Sequence, residues 1–289
     1  VASLALQPRA APAASARDLD PRAVLPYARH VTDRIVGLDT QALMLVFQLD
    51  GASFETADVR DLNDWHAKLN GAWRNLADDR LAVWHHLVRR EHHGYPEGRF
   101  RSAFAADLDA RYRDRLGATR MFVNELYLTL VLHPGRDAAS RAGAWLSRSR
   151  KAVAEDAEAE GVKRLEDAGR DLAQYLARYG VRPLGLYEHG GLWFSEPMEM
   201  MRLVLTGHQE RVPLVRGHLG SAIYTERVIF GREALEIRGA AEARFGGLLG
   251  MKEYPATTRP GLWNGLLSAR FPFVASQSFT SCPRRRPAR

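Results

Sequence analysis

The stretch MFVNELYLTLVLHP, residues 121–134, is a strand-length apolar run whose alternation is broken by Asn124 and Glu125, residue types that strands disfavour. Its β-branched and aromatic residues predict a strand over 120–132, closed by the turn signal His133-Pro134. A second informative stretch, KEYPATTRPGLWNGLL at 252–267, passes from a strand into a Pro/Gly turn and then into a short apolar helix.

Working outward from 121–134, the preceding residues predict strands at 34–37 and 42–49, joined through Asp39-Thr40-Gln41 in a hairpin that ends at Asp50-Gly51. A helix over 58–76 follows from the stripe Leu62, Trp65, Leu69 and Trp73. A strand at 82–88 and a helix over 100–116 complete this half, with Phe104, Leu108 and Tyr112 on one helix face at core-packing spacing. Beyond 134 a Gly/Ala/Ser/Arg connector, 135–150, leads to a charge-rich helix over 151–179 whose sparse apolar residues are Val162, Leu165, Leu172, Leu176 and Tyr179. The remainder predicts a strand at 184–187, a helix over 195–205 capped by Ser195-Glu196-Pro197, strands at 222–230, 234–238 and 245–253, a helix over 261–267 and a strand at 271–278. Locally paired strands mixed with helices give an α+β fold of mixed, largely antiparallel sheets with packed helices. Two α+β sub-domains are expected, 24–134 and 151–279, between a disordered arm at 1–23 and an atypical Pro/Arg tail at 280–289.

A chain of 289 residues with 46% hydrophobic content can bury one large core or two smaller ones. Its net charge is +7, but Arg284, Arg285, Arg286 and Arg289 supply four of those charges, leaving +3 for the body. That excess is too mild to demand a nucleic-acid partner. The single cysteine, Cys282, excludes a disulfide framework or thiolate metal cage and is compatible with a reducing compartment. No window approaches the roughly 18 apolar residues of a membrane span, and residues 1–23 hold no signal-peptide core.

Candidate chemistry is thin. The nearest approach to a phosphate loop, Gly246 to Glu253, has the wrong spacing and puts Glu253 where a magnesium-binding hydroxyl belongs. His85-His86 and His92-His93 suggest metal ligands, yet neighbours on a strand face opposite ways, so the expected places are a sheet surface and a turn. The turn signals after His133 and His189 place them likewise. Asp107 with Asp109, and Glu196 with Glu199, are spaced for helix-end stabilisation or pairing with arginines such as Arg111. The arginines of 99–120, with Arg89-Arg90, interleave with Tyr95, Phe100, Phe104 and Tyr112, but Asp107, Asp109 and Asp114 dilute the charge of a nucleic-acid face. No catalytic, cofactor-binding or metal residue is assigned.

Other residues carry a resemblance along the chain: Leu25-Pro26-Tyr27, His30-Val31, Phe54-Glu55-Thr56, Asp61-Leu62-Asn63, Trp84-His85-His86, Arg89-Arg90, Leu108-Asp109, Tyr112 and Phe122 to Thr129. It continues in Tyr187, Ser195-Glu196, Phe230-Gly231, Leu235 to Arg238, Lys252 to Pro255, Pro260-Gly261 and Gln277-Ser278-Phe279. With these residues the chain resembles the N-terminal region of the CagE/TrbE/VirB family, the ATPases of type IV secretion and conjugative transfer. The resemblance implies a docking and assembly region, cytoplasmic and peripheral to the inner membrane, whose partners are inner-membrane components of a secretion complex and other copies of the ATPase. ATP and magnesium are implied only for a motor domain whose Walker loops, magnesium-binding acid and arginine finger have no counterpart here. This predicts no cofactor, no small-molecule substrate and no ATP turnover for this chain, with a DNA-binding module of a transfer system as the alternative.

Past Phe279 the sequence Thr280 to Arg289 departs from the family pattern and reads as a gene remnant or out-of-frame extension. Such a tail contributes nothing to a core, so ending the chain at 279 should change stability by no more than about 0.5 kcal/mol. A melting temperature lowered by several degrees on that truncation would show that the tail belongs to the fold.

Overall fold

The computed structural model describes residues 24–281, apart from 54–55, 93, 118, 136–149, 240–242, 252, 254–255, 258–261 and 263, and apart from the side chains of 150–153. The arm expected at 1–23, most of the connector and the tail from 282 lie outside the described residues. The strands are β1 (Tyr27–His30), β2 (Ile35–Leu38), β3 (Leu43–Leu49), β4 (Leu81–His92), β5 (Met121–Leu132), β6 (Val181–Pro183), β7 (Leu186–His189), β8 (Leu192–Ser195), β9 (Arg227–Phe230), β10 (Leu235–Arg238), β11 (Ala243–Gly246) and β12 (Phe273–Thr280). The helices are α1 (Val59–Asn75), α2 (Ala103–Gly117), α3 (Arg150–Tyr175), α4 (Glu196–Thr206), α5 (Leu219–Ile223) and α6 (Asn264–Leu267), with a 3-10 turn at Ala177–Tyr179.

Seven strands form the main sheet in the order β1-β2-β3-β5-β4-β12, with β6 beside the far end of β3. The pairings are antiparallel, as the α+β reading requires. β6 and β12 follow the connector in sequence yet lie in the same sheet as β1 to β5, so the stretches 24–134 and 151–279 share one sheet.

Both faces of this sheet are covered, which is why its strands read as near-continuous apolar runs rather than clean alternation. On one face Ile35, Leu43, Leu45, Phe47, Val83, Leu128 and Leu130 pack beneath α1 and α3. On the other, Val36, Met44, Val46, Val88, Tyr127 and Val131 meet Met198, Met201 and Leu203 of α4 and Leu219 and Ile223 of α5. Helix α3 presents Leu165 and Leu172, followed at its end by Leu176, each essentially without exposure, while its charged residues face water. The helix backbone comes close to the β3 side chains at its glycines: a Cβ at Gly169 would lie 2.7 Å from Leu45 Cδ2, and one at Gly161 would lie 2.9 Å from Leu43 Cδ1.

Several expectations need correction. β1, β6 and β8 were not foreseen; each is at most four residues long, too short to show a period. The run expected as one strand over 222–230 divides into the end of α5 and then β9. The β7–β8 hairpin turns at Gly190-Gly191, where φ values of 59° and 77° suit the two-residue turn that glycine favours. Phe271, just before β12, is exposed, and Phe273 and Val274 are half-buried because β12 is the edge strand.

The close seating of α3 is testable by overpacking. Gly169→Leu should cost about 1–3 kcal/mol and Leu165→Ala about 2–5 kcal/mol. Urea denaturation would read both; a Gly169→Leu protein as stable as the parent would mean that α3 does not sit this close to β3.

Candidate functional site

The residues that interrupt the strand at 121–132 mark where helical cover on the sheet runs out, and both are claimed by arginines of β4. Arg89 lies opposite Asn124 and Arg90 opposite Val123, so the two guanidinium groups leave opposite faces. Arg89 donates from Nη1 to Asn124 Oδ1 and to the Leu267 carbonyl, both at 2.7 Å, and from Nε to the Ala269 carbonyl at 2.6 Å. It thereby caps the C-terminal end of α6, where carbonyls lack helix partners, and holds the segment before β12 against the sheet. Its guanidinium also lies 4.8 Å from the Phe122 ring centroid. On the other face Arg90 Nε donates to Glu125 Oε1 at 2.8 Å, and the Tyr127 hydroxyl donates to Glu125 Oε2 at 3.0 Å. Burial, and then the Glu125 charge, push the Tyr127 phenol well above its ordinary value. The Glu125 carboxylate, held between a guanidinium and a phenol, ties β4 to β5 on this face.

The remaining sequence candidates are spread over the fold. His86 is buried on the face opposite His85, with Nδ1 2.8 Å from Ser276 Oγ of β12. His92 ends β4 rather than lying in a turn, and His93 lies outside the described residues. Asp107 bridges to Arg111 at 2.8 Å, and Asp109 accepts from the Tyr95 hydroxyl at 2.7 Å. Glu196 accepts from Arg182 Nη1 with both oxygens, at 2.8 and 2.9 Å, whereas Glu199 accepts from the Tyr187 hydroxyl at 2.7 Å. Each acid thus ties α4 to a different strand. After Gly246 of the candidate phosphate loop, Leu248 and Leu249 are fully on the surface. Among the described residues no group of three or more His, Cys, Asp or Glu side chains converges as a metal site, and no helix is long and apolar enough to cross a membrane.

Sequence reasoning missed a pairing at the start of α4. His30 Nδ1 lies 3.2 Å from the Thr32 carbonyl and so carries the proton, leaving Nε2 to accept from Ser195 Oγ at 2.8 Å. Ser195 in turn accepts from Met198 N–H at 3.3 Å, the helix-capping bond that its residue type announced. Ser195 is wholly buried, which makes this serine and histidine a structural tie between β1 and α4. The core role expected for Phe104, Leu108 and Tyr112 is overturned: they are 77%, 57% and 56% exposed, and α2 buries no residue.

Burial lowers the pKa of His30 and His85, and lowers His86 to about 4, with the neighbouring His85 charge adding to it. In the unfolded chain these groups bind protons below about pH 6.5. The neutral histidines therefore contribute stability above pH 6.5 that is lost as the pH falls toward 4. His86→Gln, which keeps a partner for Ser276 and does not titrate, should remove on the order of 1–3 kcal/mol of that acid sensitivity. Urea midpoints at pH 7 and 4.5 would read it, and equal acid losses in parent and variant would exclude His86 as the sensor.

Residues 34–139 match the family described as type IV secretion system ATPase VirB4/TrbE, N-terminal domain. Residues 182–287 match the CagE, TrbE, VirB family, component of type IV transporter system. Over 265 residues the chain is 39% identical to the type IV secretion system protein virB4 of Bartonella henselae, covering 91% of this chain and 34% of that protein. Protein virB4 of Agrobacterium fabrum is 38% identical over 257 residues, 89% of this chain and 32% of its own length. The type IV secretion system protein PtlC of Bordetella pertussis is 29% identical over 271 residues, 91% and 32% of the two chains. The chain spans about a third of the length of these relatives.

Proposed function

The chain belongs to the VirB4/TrbE family of type IV secretion ATPases, and we propose that its residues form a docking and assembly region rather than a motor. The observation that carries this reading is the N-terminal family match over 34–139, in a sequence without a G-x-x-x-x-G-K-[ST] loop. In this reading the chain itself takes no ATP, magnesium or small-molecule substrate. It sits on the cytoplasmic side of the inner membrane, held there by membrane components of the secretion complex and by other copies of the ATPase, and helps couple hydrolysis elsewhere to assembly and transfer. Acids that occupy the arginines speak against a DNA-binding module: Glu158 holds Arg29, Glu125 holds Arg90, Glu91 holds Arg120 and Glu196 holds Arg182.

Purified protein should show no magnesium-dependent ATP hydrolysis above a blank. In bacteria carrying a matched secretion complex it should sediment with the membranes, and it should stay in the supernatant when the inner-membrane components are deleted. Sedimentation that ignores that deletion would refute docking through those partners.

A further inference from the structure

Helix α2 is a long helix that the body leaves uncovered. Phe104, Leu108 and Tyr112, four residues apart, make one ridge along it, and all three are exposed. The helix is held from an adjacent side. The Tyr95 hydroxyl binds Asp109 at 2.7 Å, the Tyr95 ring meets Tyr112 edge-on at 6.3 Å between centroids, and the Arg113 guanidinium lies 4.8 Å from the centre of the Tyr95 ring. These contacts fix the helix through Asp109 and Arg113 and leave Phe104 and Leu108 facing water. A contiguous apolar ridge on an ordered helix marks a protein-interaction surface.

Charge around the ridge selects what covers it. By helix geometry Arg115 lies within roughly 20° of the Leu108 direction and Arg111 within about 60°, whereas Asp107 and Asp114 lie farther round. Arg111 is bridged to Asp107 yet its side chain stays 78% exposed. Among the described residues no ion pair is recorded for Arg115 or for Arg101, just ahead of the helix. A second copy would bring the same basic rim on a chain whose net charge is +7, so self-pairing through α2 sets like charges together. We infer that the α2 ridge receives an amphipathic helix of a partner protein, its apolar stripe lying along Phe104, Leu108 and Tyr112 and its flanking Asp and Glu side chains meeting Arg111 and Arg115. The helix-in-groove mode supplies the precedent in physical terms: apolar anchors give affinity and the charged flanks give selectivity. This surface rests on the docking reading and names the face that does it.

The probes are two fluorescent amphipathic peptides with the same leucine stripe, one flanked by glutamates and the other by lysines, titrated with the 289-residue protein and read by anisotropy. The glutamate peptide should bind about tenfold or more tightly than its twin, and the preference should shrink as salt rises. Phe104→Ser with Leu108→Ser should abolish binding with an unchanged melting curve, since both residues are exposed. Arg111→Glu with Arg115→Glu should invert the preference toward the lysine peptide. Equal binding of the two peptides, or a charge reversal that changes nothing, overturns the proposal. So does ridge-dependent binding to phosphatidylglycerol vesicles in place of the peptide, which would assign α2 to a lipid surface, or a dimer in sedimentation equilibrium that the serine substitutions dissolve. In cells, a serine variant that still reaches the membrane with the secretion complex overturns α2 as the docking face while docking itself stands. A parent protein that never reaches the membrane refutes docking instead, whatever the peptides do.

Discussion

Helix α3 seats its glycines directly on the side chains of strand β3, and the rest of the structure depends on that contact. Gly161 and Gly169 lower the helix onto Leu43, Leu45 and Phe47, so that Leu165, Leu172 and Leu176 reach full burial on the sheet. Each mid-helix glycine costs about 1 kcal/mol of helix propensity relative to alanine. Each buried leucine returns about 1.5–3 kcal/mol. The balance favours the close approach, and it has a topological effect. Once α3 is seated across β3, the chain leaves it at Tyr179, whose carbonyl accepts from Asp50 and Gly51 N–H, and β6 pairs with the end of the same strand.

Covering both faces of an antiparallel sheet decides where polar residues may stand. Toward the Leu132 end of β5 every side chain from Tyr127 on is buried, and toward Met121 the cover ends. Asn124 and Glu125 fall at that border, where a polar group is tolerated only with a partner, and Arg89 and Arg90 supply one on each face. The same border receives α6 and the entry to β12 through the two carbonyls that Arg89 binds. Asn124, which looks like a defect in a strand, therefore helps Arg89 hold the entry to the sheet's last strand.

What was legible in the sequence follows period and length. α1, β3, β4, β5, α3 and α4 were readable because each repeats an apolar pattern over at least seven residues, and Ser195-Glu196-Pro197 announced the start of α4 chemically. β1, β6 and β8, of three or four residues, were not, since a bond ladder that short takes its definition from partners distant in the chain. β6 has no pattern of its own and exists because β3 extends past β2. The link of His30 to Ser195 joins residues 165 apart, a distance over which one sequence carries no signal. A G-x-x-x-x-G-K-[ST] loop has a fixed spacing, so whether the sequence contains that pattern is read directly from it.

The ridge on α2 shows what periodicity cannot say. A stripe of Phe104, Leu108 and Tyr112 reports that one side of a helix avoids water, but the same stripe serves a core and a partner equally well. The distinction lies in the surroundings of the helix. α1 has Leu69 and Trp73 against the sheet, whereas Arg111 and Arg115 beside the α2 stripe would have to leave water if that stripe turned inward. Taking two guanidinium groups out of water costs several kcal/mol each, which offsets the roughly 3–6 kcal/mol that burying a phenylalanine and a leucine would return. The basic rim that keeps α2 off the body is thus the same feature that lets a partner be chosen by its acids.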